Sequence, residues 1–373
     1  MHKSYTAFSK NLESKEQCFS EVMEQLKQIK KNPELIFFSS CNPYFSYVSE
    51  NLSKHFPESI IIGSTSCYQF NTSGDFQFGI SVMAIEGGIE ISSGVFTDIG
   101  KNPMMHIGQL DKALKHFKSF ENMCCIEFTT AHSNGEELVL DTFSKLLKEK
   151  DISVFGGTSG YCSREDINIS MVSLNGIVYQ DACVFVLLKN LDGKIFTYKE
   201  NIFKPTKNIF TATDVDCDNR IVYEYNEEPA AIAIAKKLET DVSDLSGMLE
   251  GKPMGRCVDD DVYITEASKI NPDFSISYYS RIYNYTKIAL MRTENIPEVF
   301  ASTKRKVKAN INSSFMLVVN CASRKNLFEK EGLTGIFMNT LKDMSPAFFG
   351  ISGFGEQLNN IHLNQTMVLI AFE

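Results

Sequence analysis

The chain of 373 residues contains no tryptophan and no long apolar run. Its longest apolar stretches are short and strand-like, as at residues 182–188, whereas a membrane helix needs ~20 consecutive apolar residues. The first 19 residues also lack the apolar core and small-residue cleavage site of a secretory signal. From the sequence we therefore expect a cytoplasmic protein without a membrane partner.

The ten cysteines include no C-x-x-C pair and are spread over the whole chain. Disulfide frameworks belong mainly to small exported proteins, whereas thiols in the cytosol stay reduced. We therefore expect reduced cysteines.

Basic residues are in the minority: 37 Lys and Arg stand against 46 Asp and Glu, which gives a formal net charge of −9. Nucleic acids and anionic membrane surfaces are bound mainly through clusters of basic side chains. The charge balance therefore argues against both as partners.

Familiar catalytic motifs are also missing. No Gly-x-Ser-x-Gly elbow, Walker loop or G-x-G-x-x-G fingerprint occurs at a predicted strand end. Hydroxyl side chains without a neighbouring base favour binding over acyl transfer, so we expect no enzyme.

Apolar periodicity reveals the same order of elements three times. Each copy has a helical stripe, a buried strand, a second helical stripe, a second buried strand and further β runs. The first strands of the copies are predicted at residues 35–40, 123–130 and 315–323, and the second strands at 60–66, 152–160 and 347–356. The pattern breaks between residues 199 and 254.

This order predicts an α/β (α+β) protein of two domains, built from repeated α-β-α-β-β units with mixed sheets covered by helices. Residues 1–200 would form one domain with two repeats, and residues 210–373 a second domain with the third repeat.

The predicted strands end in small polar residues or glycine. Ser64, Thr158 and Gly353 mark the ends of the three second strands. Ligands of α/β sheets bind outside the carboxyl ends of strands, where small side chains leave room. Each such end could equally be a simple turn, but their recurrence predicts a ligand pocket at this edge.

Arg324 and Glu356 follow the strand ends of the third copy, with Cys321 just before Arg324. A guanidinium binds a carboxylate through two parallel bonds, and a carboxylate accepts from an ammonium group. Together the two residues suit an amino-acid-like zwitterion. The alternative is that they pair with each other as a structural ion pair, and the sequence leaves both open.

Two histidines are candidate ligands of a haem iron. His132 lies at a strand end before a predicted helix, and His362 lies between the glycine-rich end of the third copy and the last strand. The start of a helix suits an anionic ligand group, so His132 is also a predicted ligand-binding residue. A single proximal histidine suffices for haem, although loop histidines more often serve only as hydrogen-bonding groups.

Several of these segments resemble the FIST family of sensory modules, which have N-terminal and C-terminal FIST regions. The similar segments are IIIGSTS around Gly63, FGGTSG around Gly157, residues 175–182, NCASR at 320–324, GISGFGE at 350–356 and HLNQT at 362–366, which contains Asn364. The resemblance runs from about residue 30 to the end of the chain, and Asn364 and Cys321 in these segments are therefore expected to bind the ligand together with Arg324 and Glu356.

The resemblance implies a small-ligand sensor in signal transduction, with a ligand such as an amino acid. Its expected partner is a separate chemotaxis receptor, histidine kinase or cyclic-dinucleotide enzyme, because no output domain follows in this sequence. Some family members look like haem-based nitric oxide sensors, so haem bound at His362 or His132 is the alternative. A second alternative is a thiol-dependent enzyme that uses Cys321.

Overall fold

The computed structural model describes residues 2–11, 13–29, 31–131, 133–161, 169–258 and 261–373. The chain forms two compact units. Unit 1 comprises Met1–Lys199, Phe300–Ile361 and Met367–Glu373, and unit 2 comprises Glu200–Val299 and His362–Thr366.

Unit 1 contains three repeats of one element order. The first repeat consists of β1 (Lys3–Ser9), α1 (Lys15–Leu26), β2 (Leu35–Ser40), α2 (Asn42–His55), β3 (Ile60–Thr65), β4 (Tyr68–Asn71), β5 (Gly74–Phe76) and β6 (Ile80–Glu86). The second repeat consists of β7 (Ile89–Thr97), α3 (Ile107–Leu114), β8 (Met123–Thr129), α4 (Glu136–Leu147), β9 (Ser153–Thr158), β10 (Val172–Leu174), β11 (Ile177–Tyr179) and β12 (Ala182–Asn190), with short 3-10 helices at Pro103–His106 and Lys148–Lys150.

The third repeat starts with β13 (Ile195–Asn201) and resumes after the main segment of unit 2, which is inserted into it. Unit 2 contributes β14 (Phe203–Asp216), β15 (Ile221–Tyr225), β16 (Glu228–Pro229), α5 (Ala230–Leu238), α6 (Val242–Gly251), β17 (Met254–Val258), β18 (Asp261–Thr265), β19 (Ala267–Ile270), β20 (Ile276–Tyr278) and β21 (Lys287–Thr293). The repeat then continues with α7 (Ile296–Asn310), β22 (Phe315–Cys321), α8 (Ala322–Lys330), α9 (Thr334–Met344), β23 (Phe348–Gly353), β24 (Gly355–Leu358), β25 (Ile361–Leu363) and β26 (Thr366–Phe372).

The helices form where the sequence places apolar residues on one face. In α1 the Ser14 hydroxyl accepts a hydrogen bond from the Gln17 amide at 3.0 Å, which caps the first turn. Cys18, Val22 and Leu26 of α1 are buried at helical spacing against the first-repeat sheet. Helix α1 thus covers the first-repeat sheet through one apolar face.

Each repeat supplies one parallel strand pair to its own sheet: β2 with β3, β8 with β9, and β22 with β23. The first strand of each pair has an antiparallel neighbour on its other edge. The three sheets have the orders β1-β6-β2-β3-β10-β11, β25-β24-β9-β8-β12-β7 and β13-β26-β22-β23-β4-β5. All three sheets are therefore mixed and have the same layout.

The second side of each parallel pair is filled by a hairpin from another repeat. Hairpin β4–β5 of the first repeat pairs with β23, β10–β11 of the second pairs with β3, and β24–β25 of the third pairs with β9. The exchange closes a circle: every repeat gives one hairpin and receives one. One physical cause is visible at Phe354, the single residue between β23 and β24, which is too short a link for a two-residue hairpin turn.

Unit 2 has its own sheet, with the order β18-β17-β21-β14-β15-β20-β19 and β16 paired to β15. Helices α5 and α6 pack against one face of it through an apolar cluster that includes Phe210, Val222 and Leu245. The Tyr225 and Tyr278 hydroxyls meet at 2.7 Å in this core.

The α/β (α+β) fold with mixed sheets is confirmed, and most predicted helices and strands lie within a few residues of their observed positions. Three differences matter. Helix α8 was not predicted, the strand predicted at 347–356 is broken into β23 and β24, and the β run predicted at 167–174 is reduced to β10, with residues 167 and 168 outside the described part of the chain.

The units also divide the chain differently from the boundary predicted near residue 200. Lys199 does end the first segment of unit 1, but residues 300–361 and 367–373 belong to unit 1 as well. The reason is the hairpin exchange, because β4 pairs with β23 and β24 pairs with β9.

Within the residues described, no helix has the length and apolar character that crossing a membrane requires.

Candidate functional site

The ends of the three second strands meet inside unit 1. The Ser64 and Ser159 hydroxyls lie 2.7 Å apart, and the Ser66 hydroxyl donates to the Ser352 carbonyl at 3.0 Å. The Phe354 amide donates to the Thr158 carbonyl at 3.0 Å. Every repeat thus contacts both others at this edge, where the sequence predicts ligand binding.

One indentation opens at the strand ends of the third repeat, and we call it the third-repeat pocket. It lies between the third-repeat sheet and helices α8 and α9, and its free volume of about 10 Å³ holds about one water molecule. Its lining residues are Tyr68, Phe70, Asp75, Asn320, Lys325, Phe328, Thr334, Phe337, Met338 and Ser352. The first three belong to the hairpin received from the first repeat, so two repeats build this pocket.

The floor of the third-repeat pocket is a row of polar side chains. Asn320, Ser352 and Tyr68 lie side by side on β22, β23 and β4. Asn320 and Ser352 are each 1% exposed. Among the described residues, no hydrogen-bond partner reaches the Asn320 Oδ1, the Ser352 hydroxyl or the Thr334 hydroxyl. Buried polar atoms normally have partners, so this floor has unused bonding capacity.

Glycine at position 350 shapes the apolar wall. A Cβ there would lie 1.9 Å from Cε2 of Phe70, so only glycine lets that ring cross β23. The Phe70 ring in turn meets Phe337 edge-on at 5.9 Å, and Phe337 packs against Phe328 at 5.3 Å between centroids. The wall of the pocket is therefore aromatic.

The mouth of the pocket carries charges of both signs. The Lys325 ammonium lies 3.3 Å from the centroid of the Tyr68 ring and forms an ion pair with Glu329, one turn further along α8. The Tyr68 hydroxyl donates to Glu329 Oε1 at 3.2 Å. Burial, followed by the carboxylates of Asp75 and Glu329, raises the pKa of Tyr68 above its usual value.

Arg324 and Glu356, predicted to bind a zwitterion, are both fully buried in unit 1. Burial lowers the pKa of Arg324 to about 9, and the Glu356 carboxylate opposes that effect, so the two charges act on each other. The Arg324 guanidinium also lies 5.0 Å from the centroid of the Phe328 ring. Both observations fit the ion-pair alternative better than direct exposure to a ligand.

Cys321 and Gly353 are register neighbours at the ends of β22 and β23. Cys321 is 3% exposed and stands at the N-cap of α8. A Cβ at Gly353 would lie 2.2 Å from the Thr158 carbonyl oxygen, so glycine permits the contact between the third and second repeats. These two residues and Ser64 and Thr158 are thus all buried at the strand-end edge.

The remaining predicted residues lie elsewhere. Asn364 and His362 belong to the unit 2 segment, where the Asn364 side chain accepts from the Glu266 amide at 3.3 Å. His362 is 5% exposed, so a haem would reach its ring only if that segment moved, and the haem alternative stays a prediction. His132 lies outside the described residues. Among the residues described, no cluster of three or more metal-ligating side chains occurs.

The second repeat contains a buried carboxyl that the sequence analysis did not single out. Glu127 is fully buried and accepts from Thr129 at 2.6 Å and from Cys183 at 3.5 Å, while Gln357 bridges it to the Thr158 hydroxyl. Burial raises the pKa of Glu127 to about 8. A single acid in the otherwise apolar run of β8 was the available signal.

Two larger indentations lie elsewhere in unit 1. One, of about 250 Å³, lies at the amino end of β9, and another, of about 290 Å³, lies around His106. The polar side chains of the first, such as Lys148, Asp151 and Asn360, are exposed to solvent. The second lies at the carboxyl end of β7, an edge strand of the second-repeat sheet, and neither includes the end of a second strand.

Residues 35–228, just over half of the chain, match the model of the FIST N domain. No curated protein matches the chain.

Proposed function

Because this chain belongs to the FIST family, whose domains are small-ligand sensory modules of signal transduction rather than catalytic domains, we propose that it senses an amino-acid-like ligand in the third-repeat pocket. The ligand would bind in this pocket rather than directly at the buried Arg324 and Glu356 pair. Arg324 would then have a positioning role, because it lies on α8, the helix that carries Lys325.

The observation that carries the proposal is the unused bonding capacity of the pocket floor. The Asn320 oxygen accepts and the Ser352 hydroxyl can donate or accept, so a polar ligand would supply bonds that the described residues leave unmade. The pocket also contains a cation, Lys325, and an anion, Asp75. A zwitterion matches that combination.

The output would pass to a separate protein, for which the family suggests a chemotaxis receptor, a histidine kinase or a cyclic-dinucleotide enzyme. A ligand shifts a conformational equilibrium only if it binds two states with different affinity. Because the pocket lies between two repeats and has room for about one water molecule as observed, a larger ligand would favour a state in which hairpin β4–β5 has moved away from α8 and α9. The partner would recognise that state.

Ser352→Ala tests the site with little structural cost. Because the hydroxyl has no partner among the described residues, its loss should leave the melting temperature of the ligand-free protein unchanged or raise it. Binding of amino acids, measured by calorimetry and by thermal shift, should weaken about five- to tenfold.

Ser39→Ala is the matched control. Ser39 is equally buried and its hydroxyl also lacks a partner in the described part of the chain, but it lies on β2, outside the pocket. Equal binding by the wild type and both variants would refute the site. Arg324→Ala is a poorer test, because it would leave the Glu356 carboxylate buried without its cation.

A further inference from the structure

We propose that the third-repeat pocket selects a zwitterion with a compact apolar side chain, and that the carboxylate of this ligand takes the place of Glu329 on the Lys325 ammonium. The inference rests on the proposed function and adds the ligand class and the exchange that admits it.

The apolar wall supports the choice of side chain. Phe70, Phe328, Phe337 and Met338 line the pocket opposite its polar floor, and all four are buried. A charged side chain placed among them would lose its hydration without gaining a partner. The indentation as observed has a free volume of only about 10 Å³, which holds about one water molecule, so the ligand side chain enters only if hairpin β4–β5 moves away from α8 and α9.

The ion pair at the mouth supports the exchange. The Lys325 side chain is 13% exposed, whereas that of its partner Glu329 is 48% exposed. An ion pair with one well-solvated member contributes little free energy. A carboxylate delivered on a ligand can therefore replace Glu329, while the Tyr68 ring continues to hold the ammonium in place.

The other end of the zwitterion has a partner on the received hairpin. Asp75 lines the pocket from β5, opposite helix α8, which carries Lys325. The ligand ammonium would pair with Asp75 and donate to the unused oxygens of Asn320 and Ser352. The two charges of one ligand would thus connect the first repeat to the third.

The first experiment compares amino acids by calorimetry on the full chain. We expect L-leucine, L-valine and L-isoleucine to bind at least tenfold more tightly than L-glutamate, L-lysine and L-arginine. Equally tight binding of the charged amino acids would overturn the inference while leaving the proposed function standing. No binding by any amino acid would remove both.

The second experiment tests the exchange with paired ligands. Lys325→Met should lower the affinity for leucine at least tenfold but leave the affinity for 3-methylbutan-1-amine, which lacks the carboxylate, unchanged. Asp75→Asn should lower the affinity for leucine but not the affinity for 4-methylpentanoate, which lacks the amine. Lys330→Met, at an exposed lysine of the same helix, is the control and should bind as the wild type does.

The melting temperature of each variant shows separately whether it is folded. If a folded Lys325→Met variant binds leucine and the amine with equally reduced affinity, or with the affinities of the wild type, the assignment of the carboxylate to Lys325 is wrong.

Discussion

Glu127 is a carboxyl group at the centre of a sheet face, and its surroundings decide its charge. It has no solvent exposure, and its hydrogen bonds from Thr129 and Cys183 only partly offset the cost of burying a negative charge. The nearby carboxylate of Glu136 adds to that cost. With a pKa of about 8, Glu127 is mainly protonated at neutral pH.

The raised pKa predicts a loss of stability with rising pH. Because the folded chain binds this proton more tightly than the unfolded chain, the stabilisation is complete below the unfolded pKa of 4.5 and is lost as pH rises to about 8. The shift corresponds to about 5 kcal/mol in the free energy of unfolding. Urea unfolding from pH 5 to pH 9 measures the loss.

Glu127→Gln isolates this contribution, since the amide keeps the shape of the acid and can donate to the Thr129 oxygen. The variant should lose less stability than the wild type over the same pH range. Glu121→Gln changes an exposed glutamate of the same repeat, and its stability should depend on pH as that of the wild type does. If the stability of Glu127→Gln fell with pH as steeply as that of the wild type, the protonation of Glu127 would not be the cause of the pH dependence.

Single residues were predictable from the sequence where their chemistry was local. The positions of Ser64, Thr158 and Gly353 at strand ends were predictable because the apolar runs of these strands are visible in the chain. Lys325 was missed because α8 has almost no apolar periodicity, and Tyr68 and Asp75 were missed because only the hairpin exchange brings them to the third repeat.

At the level of elements, each second strand has one glycine next to a side chain that occupies the space a Cβ would need. Gly63 accommodates Phe38, Gly156 accommodates Glu127 and Gly350 accommodates Phe70. The first two partners come from the adjacent parallel strand, whereas Phe70 comes from the received hairpin. The close approach at Gly350 therefore fixes an exchanged hairpin to its host sheet.

Gly350→Ala should loosen that hairpin. The added methyl group would overlap the buried Phe70 ring, and we expect a loss of ~1–3 kcal/mol in the free energy of unfolding. Urea unfolding gives the size of the effect, and faster hydrogen exchange in β4 and β5 would locate it.

Gly335→Ala should have the opposite effect on the free energy of unfolding. Gly335 lies in α9 and its added Cβ would meet nothing within 4 Å, so the variant should be more stable by ~0.5–1 kcal/mol. If Gly350→Ala were as stable as Gly335→Ala, the close packing of Phe70 on β23 would not hold the hairpin.

Most long elements of the repeats were predictable because their apolar spacing is local, as in α1 and β22, whereas the strands β1 and β13 were not predicted. The short strands β4, β5 and β25 were not, because strands of three or four residues carry too little pattern. Their pairing partners are also remote in sequence: β4 pairs with β23 across more than 270 residues.

For the whole molecule, the sequence suggested a linear series of domains, whereas the structure closes the repeats into a circle. The break in pattern after residue 199 is real, but it marks the insertion of unit 2 into the third repeat. Unit 2 also carries most of the net charge: its residues include 11 Lys and Arg and 18 Asp and Glu, or −7 of the total −9.

The circular exchange predicts that residues 1–199 do not fold as an independent domain. Without the third repeat, β9 loses the hairpin β24–β25, and β4–β5 loses its host strand β23. Strand edges left open in this way promote aggregation. We therefore expect this fragment to lack the cooperative thermal transition of the full chain, as measured by circular dichroism, and to elute as aggregates.

Co-expression supplies the control, because it restores the missing partners without the covalent link. Residues 300–373 on a second chain carry both β23 and β24–β25, so the two chains should elute as one complex. That complex should recover a cooperative transition. If residues 1–199 alone melted cooperatively at the temperature of the full chain, the exchanged hairpins would not hold unit 1 together, and two repeats would suffice as a domain.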